Sequence, residues 1–136
     1  MHDARMTAAQ TSEVSAVFSA FPEPARQGLL TLRALIYSVA AADPRIGILS
    51  ESLKWGQPSY GTPYSKSGTP LRLGIPKAGG YAIFVHCQTT VVSEFRHIFA
   101  EQFSYDGNRA VIFHADTVLD MEKVSVLINR ALTYRL

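Results

Sequence analysis

The ten residues from Glu51 to Tyr60, Glu-Ser-Leu-Lys-Trp-Gly-Gln-Pro-Ser-Tyr, constrain the fold of this chain more than any other stretch. They hold its only tryptophan and break regular structure twice. A strand-like run from Ser52 to Trp55 has to stop at Gly56, which tolerates backbone angles that other residues avoid. It restarts after Pro58, which fixes its own φ and restricts Gln57. Two readings of the stretch stand. Either it is the wall of a pocket, or Trp55 and Tyr60 are core aromatics around a loop, since buried Trp and Tyr serve packing first.

Around this stretch the hydrophobic period sets the remaining elements. Residues 1 to 10 carry no pattern and read as a frayed N-terminus, leaving 11 to 136 as a single domain. Thr11 or Ser12 caps a short helix with Val14, Val17, Phe18 and Phe21 on one face. A second helix runs from about Pro24 to Ala42 with Leu29, Leu32, Ile36 and Val39 as its stripe, closed by Asp43-Pro44. Turn-forming residues from Gly61 to Pro70 make an irregular loop. From Leu71 the period becomes two, giving a hairpin of Leu71 to Ile75 and Tyr81 to Cys87 around Pro76 to Gly80. Thr89 or Thr90 then caps a helix through Phe99. Gln102 to Asn108 reads as a loop, Arg109 to His114 as a strand, and Thr117 or Asp120 caps a closing helix. The order α-α-β-β-β-α-β-α, with strands joined too closely for parallel crossovers, predicts an α+β fold with a mainly antiparallel sheet flanked by helices.

A chain of 136 residues, 47% of them hydrophobic, is long enough for one sizeable core. Its 13 Lys and Arg against 11 Asp and Glu leave +2 with no basic block along the sequence, which argues against nucleic acid as a partner. No signal peptide or membrane span is visible, because the apolar run from Leu29 to Ala42 is interrupted by Arg33, so a cytoplasmic protein off the membrane is expected. One cysteine, Cys87, excludes an internal disulfide and a multi-cysteine zinc site. Gly79-Gly80 lacks the following helix that a phosphate loop requires.

The best candidate site joins the opening stretch to His86-Cys87-Gln88-Thr89-Thr90, where a strand gives way to a helix N-terminus that can receive an anion or polar ligand atom. Arg72 on the neighbouring hairpin strand and Lys66 in the preceding loop add charge. The site residues are thus Trp55, Gln57, Tyr60, Lys66, Arg72, His86, Gln88 and Thr89. The plainer alternative is that Thr89 and Thr90 only cap their helix and Arg72 is solvated. Metal and nucleophilic sites have less support. His86 and Cys87, adjacent on a strand, point to opposite faces, so Cys87 reads as a buried inert thiol rather than a nucleophile beside a base. Glu94, His97 and Glu101 share a helical face that reads as a solvated surface.

Several of these motifs together resemble one family. Glu-x-Leu-Lys-Trp-Gly-Gln-Pro-Ser-Tyr from Glu51, Thr62-Pro63 with Lys66-Ser67-Gly68, Leu71-Arg72-Leu73, His86-Cys87-Gln88-Thr89-Thr90 and Phe95-Arg96-x-Ile98-Phe99 are similar to the family called domain of unknown function 1801, or YdhG-like. The resemblance spans nearly all of residues 13 to 135. It implies an α+β fold, and for some members a frataxin-like iron-chaperone role, which would make iron the one cofactor to consider. Iron handling of that type uses a run of carboxylates on one face, whereas the acidic residues here are scattered. The sequence therefore predicts a small binding domain taking a small polar or anionic ligand. Iron handling and an enzyme working through Cys87 and His86 are the alternatives, and a protein partner is a further possibility.

Overall fold

The computed structural model describes residues 10–136. The expected frayed N-terminus therefore lies, apart from Gln10, outside the described residues. Helix α1 (Ser12–Ala20) begins where the Thr11 hydroxyl accepts the Val14 amide at 3.3 Å, and it buries Val14 and Phe18. Helix α2 (Ala25–Ala42) buries Leu29, Leu32 and Ile36, together with Arg33. Six strands follow, β1 (Ser50–Lys54), β2 (Gln57–Gly61), β3 (Leu71–Gly74), β4 (Tyr81–Val85), β5 (Ser104–Asp106) and β6 (Ala110–Phe113). Helix α3 (Val91–Phe99) and a short 3-10 turn (Ala100–Gln102) separate β4 from β5, and α4 (Met121–Leu132) closes the chain with Asp120 accepting the Lys123 amide.

All neighbouring strands are antiparallel, in the order β1-β2-β3-β4-β6-β5. The fold is the α+β arrangement expected, with two more strands than the hydrophobic pattern gives. The first is β2, which restarts at Gln57 rather than after Pro58. Pro58 lies beyond the two residue pairs that join β2 to β3, where a residue without an amide hydrogen is tolerated. The second is β5, which replaces the expected loop. Its three residues pair with β6 through a turn in which the Arg109 amide reaches the Asp106 carbonyl at 3.1 Å and Gly107 takes a φ of +53°.

Strand alternation divides the sheet into two unlike faces. Tyr60, Leu71, Leu73, Ile83 and Val111 are fully buried in one cluster with the apolar stripes of the helices. The opposite face carries Ser59, Arg72, Gly74 and a separate small cluster of Ala82, Ala110 and Ile112 with Phe84, which includes no helical residue. One face of the sheet is thus backed by helices and the other is open. Among the described residues no helix is long and apolar enough to cross a membrane.

Candidate functional site

The β1–β2 connection has only two residues, Trp55 and Gly56, between the paired Lys54 and Gln57. Such a tight hairpin follows the right-handed twist of its strands when both turn residues have positive φ, and here these are +56° and +76°. Asn, Asp or Gly normally fills the first position. A tryptophan there occupies a conformation that its Cβ disfavours, and its side chain is 89% exposed. Trp55 and Tyr60, read together as core aromatics or as a pocket wall, have opposite fates. Trp55 is displayed to solvent, whereas Tyr60 is fully buried on the helix-backed face with its hydroxyl on Glu51 at 2.7 Å.

Beside Trp55 lies a cleft of about 560 Å³. Five of the residues expected at the site line it: Trp55, Arg72, His86, Gln88 and Thr89. Gln57 acts from behind, its Oε1 accepting a hydrogen bond from Arg72 Nη1 at 2.6 Å. Tyr60 is on the other side of the sheet and does not reach the cleft. Lys66, with a φ of +56°, lines an adjoining recess of about 580 Å³ that shares Lys54, Ser59, Pro70 and Arg135 with the cleft.

The helix-terminus part of the expectation changes in detail. Strand β4 ends at Val85, so His86 and Cys87 sit in the turn that follows, closed by the Thr89 hydroxyl donating to the His86 carbonyl at 2.8 Å. Cys87 is exposed there, which corrects the expectation of a buried thiol. The His86 ring is occupied locally, with Nδ1 accepting the Gln88 amide at 3.2 Å. Neither threonine caps α3 with its side chain, since the Thr90 hydroxyl donates to Glu94. Instead the Thr90 amide donates to the Tyr134 hydroxyl at 3.2 Å, and this contact holds the Tyr134 phenol below its ordinary pKa. Glu94 also grips Arg130 of α4 at 2.8 Å, so the face it was expected to share with His97 and Glu101 is partly engaged.

Sequence reasoning missed the residues that the chain end supplies. Ser67 donates to the Leu132 carbonyl at 2.7 Å and accepts the Arg135 amide at 2.8 Å, while the Thr69 amide reaches Ala131 at 2.9 Å. This strap draws Tyr134 and Arg135 beside Thr69 and Pro70 on the cleft wall. No local pattern marks residues that follow a helix. Lys54 and Ser59, by contrast, follow from strand alternation around the hairpin.

The electrostatics of the cleft are one-sided. Lys54, Arg72 and Arg135 line it, and no carboxylate does. Burial and the neighbouring Arg109 push the Arg72 guanidinium somewhat below its ordinary pKa, and it stacks over the Phe84 ring at 5.5 Å. Both effects describe a cation partly stripped of water and not ion-paired with a carboxylate among the described residues. Among the described residues no group of three or more His, Cys, Asp or Glu is placed to hold a metal ion.

Fold and site together define a class: an α+β domain whose antiparallel sheet is backed by helices on one face and bears a cationic cleft on the open side. The fold is similar to the crystal structure of a DUF1801-family protein, YdhG from Bacillus subtilis, at a TM-score of 0.61 and 13% identity over 89% of each chain. The architecture implied by the family resemblance is therefore the one the chain adopts. No family model matches the sequence, and no curated protein does.

Proposed function

We propose that this chain is a binding domain of the DUF1801 type whose cleft receives a small anionic ligand, with Arg72 as its principal anchor and Trp55 as a stacking surface. One observation carries the reading: the cleft wall holds three cations and no carboxylate. A partly desolvated guanidinium fixed by Gln57 presents its remaining N–H donors in a set geometry, which suits carboxylate and phosphate oxygens. An exposed Trp at a rigid two-residue turn offers a flat face at small entropic cost.

Because Trp55 is the only tryptophan, its emission reports on this cleft without labelling. Titration with phosphate, small carboxylates and nucleoside monophosphates, paired with thermal unfolding, is expected to identify anions that change Trp55 emission and raise the midpoint. Arg72→Ala should weaken that response about 10- to 150-fold, the worth of a charge-assisted hydrogen bond of about 1.5–3 kcal/mol. A Trp55 signal indifferent to every anion, or unchanged by Arg72→Ala, would reject the reading.

A further inference from the structure

Salt bridges sort the cations of this protein into two populations. Among the described residues Arg26, Arg33, Arg45, Arg109, Lys123 and Arg130 each pair with a carboxylate. Lys54, Lys66, Arg72, Lys77, Arg96 and Arg135 do not, and Arg96 instead stacks over Tyr105. The other five all line recesses on the open side of the sheet. Lys66 is in the recess beside the cleft, Lys54 and Arg135 are in both of these, Arg72 is in the cleft and in a third recess of about 580 Å³, and Lys77 is in that third recess. The first two share four lining residues and the cleft meets the third at Arg72, so the three recesses follow one another as a strip along the sheet. Its only carboxylate is Asp106, which Arg109 already holds at 3.1 Å. The absence of a basic block along the sequence argued against nucleic acid, and folding assembles such a block from five separate segments.

We infer that this strip is a track for single-stranded nucleic acid, with the five carboxylate-free cations along the phosphates and Trp55 stacked on a base. The inference rests on the reading of the Trp55 cleft as an anion site and names the ligand class. An extended polyanion matches a line of cations spread over three recesses better than a compact anion does. The exposed Trp55 ring and the Arg72 guanidinium stacked on Phe84 supply flat surfaces of the kind on which bases stack, a feature an acidic peptide does not require.

The test is fluorescence anisotropy with a labelled oligothymidylate of about 12 nucleotides, within the range one small domain covers. Thymidine monophosphate and polyglutamate serve as competitors. The expected result is oligonucleotide binding far tighter than either competitor, with log K falling against log salt at a slope of about −3.5 for five contacted phosphates. Lys77→Ala, remote from Trp55, should flatten that slope by about 0.7. Trp55→Ala should weaken binding about 5- to 150-fold and Trp55→Phe should restore most of it. Monophosphate that changes Trp55 emission as strongly as the oligonucleotide would overturn the track while leaving the anion cleft standing. Polyglutamate binding equally well would assign the strip to an acidic protein instead. No response of Trp55 to any of the three would reject track and cleft together.

Discussion

Arg33 holds Glu51 at two points, Nε donating to Oε2 at 2.6 Å and Nη2 to Oε1 at 3.0 Å, with only 6% and 7% of the two side chains exposed. The Tyr60 hydroxyl donates to the same Oε2 at 2.7 Å, and the Arg33 guanidinium lies over the Tyr37 ring at 4.9 Å. Helix α2 is thereby fastened to β1 and β2, three residue pairs along the hairpin from the Lys54–Gln57 pair that closes the Trp55 turn. Removing one member leaves an uncompensated charge in the interior. Glu51→Ala is accordingly expected to destabilise the protein by about 3–5 kcal/mol, measured by denaturant unfolding, whereas Arg33→Met with Glu51→Leu recovers most of the loss. Equal stability of Glu51→Ala and the native protein would show that the pair is not closed in solution.

The same network sets how the protein responds to alkali. Burial, followed by the hydrogen bond to Glu51 and its charge, pushes the Tyr60 phenol far above its ordinary value of 10.0, and burial raises Tyr37 and Tyr81 in the same direction. Below pH 10 the folded and unfolded states both keep the Tyr60 proton, and its contribution is complete. Above it the unfolded phenol ionises first, so stability falls as pH rises toward the higher folded value. Unfolding is expected to begin above about pH 10 and to coincide with the appearance of phenolate absorbance. Tyr60→Phe should cost about 1–2 kcal/mol at neutral pH and make the loss above pH 10 shallower. A Tyr60 that ionises within the intact fold, seen as phenolate absorbance ahead of unfolding, would contradict the buried contact.

Gly68 is the point where the loop before β3 crosses α4. A Cβ there would lie 2.5 Å from the Leu132 Cα and 2.6 Å from the Ala131 carbonyl, both backbone atoms that cannot rotate aside. Gly68→Ala is expected to cost about 3 kcal/mol or more, since overpacking against fixed backbone displaces the Ser67 and Thr69 contacts as well. The thermal midpoint should fall by roughly 10 °C for a domain of this size. Because the strap brings Arg135 to the cleft, any folded Gly68→Ala protein should also bind anions more weakly. A fully stable variant would mean that the loop and α4 stand farther apart.

What the sequence disclosed and what it hid follow from the range of the interactions involved. Helices α1, α2 and α4 and the β3–β4 hairpin were legible because period and caps are local signals, as at Thr11 and Asp120. Arg72, His86, Gln88 and Thr89 could be placed together because β3 and β4 are consecutive paired strands. Arg33 and Glu51, 18 residues apart, form a partnership that no periodicity encodes, and Arg33 read only as a break in an apolar run. Arg135 reaches the cleft through contacts with Ser67, again without a local pattern. Strand β5 carries no strand signal in the sequence because three half-buried residues give too short an alternation to recognise.

The turn at Trp55 carries no sequence signature of a two-residue hairpin. Hairpin turns of two residues are recognised by Asn-Gly or Asp-Gly, and Trp-Gly breaks that rule at its first position. A bulky side chain at a φ of +56° costs stability, and with 89% of it exposed little packing repays the cost. Trp55→Asn relieves the strain without disturbing a core contact. It is expected to raise stability by about 0.5–1 kcal/mol, read as a higher unfolding midpoint, while weakening anion and oligonucleotide binding as Trp55→Ala does. Strain held at a solvent-facing aromatic makes sense where the ring serves a ligand, so opposite movements of midpoint and affinity are the signature of that role. If Trp55→Asn left affinity intact while raising the midpoint, the ring would have no part in binding, and the cations alone would have to hold the ligand.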